Sequence, residues 1–112
     1  MASRAMASAP RGHKYHAIPT ELDGIRFASR RESRRYADLR LLEKARQITG
    51  LTLQPKFELM VNGHLICKYV ADFQYVEHGR VVVEDAKGVH TSTYLLKRKL
   101  MKAIHGIEIR ET

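Results

Sequence analysis

Covalent staples are missing from this chain: its 112 residues include one cysteine, Cys67, so no internal disulfide forms. A lone cysteine suits a reducing compartment, and a cytoplasmic location is expected. Long apolar runs are missing too. No stretch approaches the roughly 20 residues that span a bilayer, so no membrane partner is expected. The opening stretch MASRAMASAPRGHKYH has no apolar core, so a secretory signal is not expected. Neither a Walker phosphate loop nor a G-x-G-x-x-G turn occurs, which argues against a nucleotide cofactor. His13 and His16 lack a matched second pair, so zinc is not expected. Acid is scarce as well. Twelve Asp and Glu stand against 20 Lys and Arg, a formal net charge of +8. A surplus this large surrounds the protein with a positive field that attracts polyanions, although solubility alone also favours charge.

What is present suits one globular domain: 44% hydrophobic and 29% charged residues in a length that buries an adequate core. Residues 1–15, punctuated by Pro10 and Gly12, read as a flexible basic arm before a domain over 16–112. Residues 16–27 form a connecting segment with a turn signal at Asp23-Gly24. Ser29-Arg30-Arg31-Glu32 has the S-x-x-E form of a capping box. The stripe Tyr36, Leu39, Leu42, Ala45, Ile48 carries the helix on to a stop at Gly50. A strand over 51–61 follows, with Pro55 marking an edge or bulge. Asn62-Gly63 predicts a hairpin, and 64–76 reads as a central strand covered on both faces. After a turn at 77–79 come a third strand over 81–87, a helix over 91–105 capped by Thr91 or Thr93, the stop Gly106, and a last strand over 107–109. The order is helix-strand-strand-strand-helix-strand, an α/β fold with a mixed sheet flanked by helices.

Asp72 stands in an apolar strand, where an ionised carboxylate is costly unless a cation or donor meets it. On the next strand, period-two alternation puts Asp85 and Lys87 on one face, shared with Val81 and Val83. Two acids on adjacent strands, one beside a lysine, suit hydrolysis of a phosphodiester. Carboxylates offer the hard oxygens that Mg²⁺ prefers, and a lysine offsets charge growing on the phosphorane.

Asp72 followed by Asp85-Ala86-Lys87 resembles the PD-(D/E)XK signature of restriction-endonuclease-like nucleases, and the element order is similar to that superfamily's core. Ala71 stands where the motif has proline, a position without chemistry. The chain also resembles a family of small uncharacterised phage proteins through Gly24-Ile25-Arg26-Phe27-Ala28-Ser29, Glu32, Tyr36, Leu53-Gln54-Pro55, Ala71-Asp72-Phe73 and Glu84-Asp85-Ala86-Lys87-Gly88. The same pattern is similar to the endonuclease subunit of certain cut-and-paste transposons.

The resemblance implies a Mg²⁺- or Mn²⁺-dependent DNA endonuclease with catalytic residues Glu32, Asp72, Asp85 and Lys87. Asp72, Asp85 and the Ala86 carbonyl would ligate metal, and Glu32 would bind through water or hold a second ion. Arg30, Arg31, Arg34, Arg35, Gln54, Tyr94 and Lys97 would contact DNA. A homodimer acting on duplex or branched DNA, such as a Holliday junction, is the expected assembly and substrate.

Blander roles stand beside these. Glu32 also fits the third position of the capping box. Gln54 also fits a partner for a backbone group beside Pro55, and Tyr94 and Lys97 also fit core and solvated face. Adjacent Glu84 and Asp85 leave two registers, of which only Asp85 has the two-residue spacing to Lys87. A DNA-binding accessory protein that keeps the fold without catalysis is the alternative function, and a basic scaffold for a protein partner or RNA is another.

Overall fold

The computed structural model describes residues 20–112. They fall into two compact units, with the boundary after Leu41. The basic arm expected over 1–15 lies outside the described residues.

The first unit opens with an antiparallel hairpin, β1 (Thr20–Leu22) and β2 (Ile25–Phe27). Its turn is Asp23-Gly24, both left-handed at φ 54° and 74°. Such a turn needs positive φ at both central residues, which Asp tolerates and Gly takes freely. The expected connecting segment is therefore partly strand. Helix α1 (Arg30–Lys44) follows. Ser29 Oγ accepts from the Glu32 N–H at 3.2 Å, one half of the capping box read from the sequence. Phe27 meets Tyr36 with ring centroids 5.1 Å apart, and Leu39 is buried.

The helix ends six residues before the expected stop at Gly50. Arg46 is left-handed at φ 61°. Its N–H donates to Glu43 C=O (3.0 Å), and Gln47 N–H donates to Leu42 C=O (2.9 Å). These two bonds make a Schellman cap with arginine where glycine is usual, so no sequence signal marked the stop. Gly50 instead serves a strand. It takes φ 65° in β3 (Thr49–Leu53), where Gly50 and Leu51 of β3 together oppose Tyr75 of β6 and form a bulge.

The second unit holds the sheet β3-β6-β7-β8 and the separate hairpin β4-β5. Its elements are β4 (Lys56–Val61), β5 (His64–Val70), β6 (Phe73–Glu77), β7 (Arg80–Asp85), α2 (Ser92–Leu100) and β8 (Arg110–Glu111). β3, β6 and β7 pair antiparallel, and β8 adds in parallel to β7, so the sheet is mixed and the fold is α/β.

Two expected strands are each broken in two. The 51–61 strand breaks at Gln54-Pro55, where Gln54 is left-handed at φ 52°, and the 64–76 strand breaks at Ala71-Asp72. The breaks face one another: Gln54 N–H donates to Asp72 C=O (2.9 Å), and Ala71 N–H donates to Pro55 C=O (3.1 Å). Proline lacks the N–H for an interior ladder position, so both strands leave one sheet together and enter the other. The expectation of one strand covered on both faces also fails. Tyr69, Ala71, Phe73 and Tyr75 are buried, but Ile66 and Val70 are exposed.

Thr91 caps α2, its Oγ1 accepting from Tyr94 N–H at 3.1 Å. A π-helical turn (Met101–His105) continues the helix, and left-handed Gly106 ends it as expected. Leu59, Tyr69, Ala71, Val83, Tyr94 and Met101 form the core of this unit. The last strand lies at 110–111 rather than 107–109, because Ile107 and Ile109 pack against that core. Among the described residues no helix is long and apolar enough to cross a membrane.

Candidate active site

The break between β5 and β6 places Asp72 at the mouth of the sheet. Its N–H donates to Glu84 C=O (3.1 Å), and its Oδ2 accepts from Ala86 N–H (2.8 Å). Asp72 is thereby level with Asp85, as continuing the pairing of Phe73 with Glu84 requires. The carboxylate that looked like a mid-strand anomaly sits where a strand ends, half-buried and bonded to the facing backbone.

Asp85 is buried on β7 and accepts from the Tyr69 hydroxyl. Lys87 Nζ lies 3.5 Å from Asp85 Oδ2. Glu84 takes the other side of the strand. It is fully buried, accepts from the Tyr75 hydroxyl, and has Thr112 Oγ1 at 3.3 Å. Alternation along β7 thus separates the two adjacent acids, and Asp85 is the one that shares its surroundings with Lys87. Val83 is buried on that face, whereas Val81, at the far end, is exposed.

Burial raises the Tyr69 pKa far above the ordinary tyrosine range, with the Asp85 hydrogen bond and the charges of Asp85, Tyr94 and Asp72 adding to it. Its phenol therefore remains a donor to Asp85 at any physiological pH. Burial also raises the Tyr94 pKa, reinforced by a hydrogen bond to Glu111. The Glu111 carboxyl is held below its usual range, chiefly by that Tyr94 hydrogen bond and also by Arg98.

Asp72, Asp85, Ala86 and Lys87 are brought together, and Tyr94 joins them through its ring, 4.4 Å from Lys87 Nζ. Tyr94 is buried, with the Lys87 ammonium over its ring, which accords with the core role weighed for it. Gln54 is half-buried at the strand break, while Lys97 is half-buried on α2. Glu32 lies buried in the first turn of α1, in the first unit, while the aspartates and the lysine belong to the second. Arg30, Arg31 and Arg34 are exposed on that helix and Arg35 is half-buried. Sequence reasoning passed over Tyr69, which suits a strand core whatever its hydroxyl does, and Glu111, which lies beyond the last strand expected over 107–109. A tyrosine on the same side of the strand as Ala71, next to Asp72, was the signal available for the first.

Among the described residues no group of three or more His, Cys, Asp or Glu side chains is arranged to hold a metal. Asp72 and Asp85 supply two carboxylates. That number fits Mg²⁺, which keeps several waters and takes one or two carboxylates, and does not fit zinc, which wants four close ligands.

The chain belongs to the family described as "Protein of unknown function (DUF1064)", whose model matches residues 12–111. Neither the curated proteins nor the solved structures include a match to it.

Proposed function

We propose that the protein is a Mg²⁺- or Mn²⁺-dependent DNA endonuclease of the PD-(D/E)XK type, of phage origin and acting in the cytoplasm. The observation that carries this reading is Asp72 level with Asp85 at the end of two paired strands, with Lys87 ion-paired to Asp85. Asp72, Asp85 and the Ala86 carbonyl are the residues to hold the ion. When bound, such an ion supplies Lewis-acid polarisation of the phosphate and activation of water at neutral pH. Lys87 orients the attacking water and offsets negative charge growing on the phosphorane. Arg30, Arg31, Arg34, Arg35 and Lys97 grip backbone phosphates, which positions the duplex without reading its sequence.

Cutting two strands is simplest with two sites, and a homodimer of this chain provides them. The outer face of the β4-β5 hairpin supports that assembly. Met60, paired with Leu65, and Val70 lie exposed beside the cross-strand pair Glu58 and Lys68, and Ile66 is exposed at the bulge. In such a dimer, a two-fold axis parallel to the strands brings Glu58 of one copy opposite Lys68 of the other and covers the apolar residues.

The reading is tested by incubating a four-way junction, a linear duplex and a single strand of matched sequence at matched salt. The junction should be cut fastest in Mg²⁺, Ca²⁺ should support binding with poor turnover, and EDTA should abolish cleavage. Robust cleavage in excess EDTA rejects the metal mechanism. Equal cutting of single strands and junctions rejects the junction preference.

A further inference from the structure

Asp85 is not the only group that holds the Lys87 head. The Lys87 Nζ also lies 4.4 Å from the centroid of the Tyr94 ring, whose negative face attracts a cation. Tyr94 is itself held. Its hydroxyl donates to Glu111 Oε2 at 2.5 Å, and Arg98 Nη1 reaches the same oxygen at 2.8 Å. The His90 ring stacks on Tyr94 with centroids 5.6 Å apart and planes 19° apart, and His90 Nε2 lies 3.0 Å from Glu111 Oε1. Glu111 therefore bonds the phenol and two side chains that flank it.

The backbone repeats the connection. β8 pairs in parallel with β7, matching Glu111 with Asp85. Thr112 N–H donates to Asp85 C=O (3.0 Å), and Lys87 N–H donates to Thr112 C=O (3.2 Å). One short strand thus fixes the lysine at its backbone and, through Tyr94, at its ammonium. A lysine stem is long and flexible, so a charge needed at one point requires a seat as well as a counter-ion.

We propose that Glu111, assisted by Arg98, is a positioning residue that locks Tyr94 against Lys87 and so holds the ammonium beside Asp85. Its consequence for cleavage rests on the nuclease reading; the placement of Lys87 does not.

The experiment therefore reads placement and rate separately in the full chain. A lysine methylene packed over an aromatic face resonates upfield, so the Lys87 Hε signals report directly on the Tyr94 ring. Tyr94→Leu should return them to ordinary lysine positions. Glu111→Ala should move them at least halfway there, while Glu108→Ala, which breaks an exposed pair with Lys102 (3.4 Å), should leave them in place. Should Glu111→Ala fail to fold, Tyr94→Phe cuts the same tether from its other end and keeps the ring, with the same expected direction. In single-substrate kinetics, Glu111→Ala should lower kcat about tenfold and leave KM within about twofold, because a misplaced group costs rate more than ground-state binding. Unmoved Lys87 signals in both Glu111→Ala and Tyr94→Phe overturn the proposal, as does a KM rise with unchanged kcat. If wild-type protein cuts no DNA in Mg²⁺, the nuclease reading falls, and the Lys87 signals alone decide the positioning role.

Discussion

On β7 the side chain of Glu84 meets Tyr75 and Thr112, whereas Asp85 meets Tyr69 and Lys87, so amide substitutions at the two positions should have different consequences. Glu84→Gln disturbs a fully buried hydrogen-bond group and should cost about 1–3 kcal/mol of stability, measured by urea unfolding. The pair Tyr69 and Tyr94 predicts a pH effect. Both phenols have pKa values raised above the unfolded value of about 10. Their neutral forms are favoured by the fold, so this stability is fully present below pH ~10 and is lost as pH rises from there through the folded values. A tyrosinate absorbance titration of the wild type, compared with Tyr69→Phe and Tyr94→Phe, should show these two phenols ionising only as the protein unfolds. Ionisation of both near pH ~10, with the fold intact, would show these buried hydroxyls to be ordinary. At this scale Asp72, Asp85 and Lys87 were legible, because charge in an apolar strand is conspicuous. Tyr69 was not, because a tyrosine suits a strand core whether or not its hydroxyl has a task.

At the scale of elements, helix starts were readable and one helix end was not. Ser29 and Thr91 announce their caps through short side chains that reach backbone N–H groups. The Schellman cap at Arg46 is set by backbone geometry, and arginine gives no sign of it. A left-handed arginine is strained relative to glycine, so Arg46→Gly should stabilise the protein by about 0.5–1 kcal/mol after glycine's entropy cost. A lower unfolding midpoint in that variant would contradict the reading of this cap. The turn signals Asp23-Gly24 and Asn62-Gly63 both mark real hairpins. Of the strand breaks at Gln54-Pro55 and Ala71-Asp72, the second escaped notice entirely. Pro55 flagged one of them, but the second depends on the first through hydrogen bonds across the chain, and period-two patterning runs through it without interruption.

For the whole molecule, the α/β class followed from the order of elements, and the mixed sheet agrees with it. Subdivision of the sheet into two was hidden, because paired breaks preserve alternation in both strands. The exposed apolar face of the β4-β5 hairpin was hidden with it. On the dimer proposed above, Ile66→Glu places a charge in the covered face and should halve the mass seen by light scattering without loss of helix or sheet. An unchanged mass would move the interface elsewhere. The central claim is that phosphodiester cleavage depends on the carboxylate that faces Lys87. Its most direct test is the single-turnover cleavage rate of branched DNA in Mg²⁺ for the wild type, Glu84→Gln and Asp85→Asn, each confirmed folded. The account predicts a loss of about 10²-fold or more for Asp85→Asn and a rate near that of the wild type for Glu84→Gln. An active Asp85→Asn beside an inactive Glu84→Gln would contradict it.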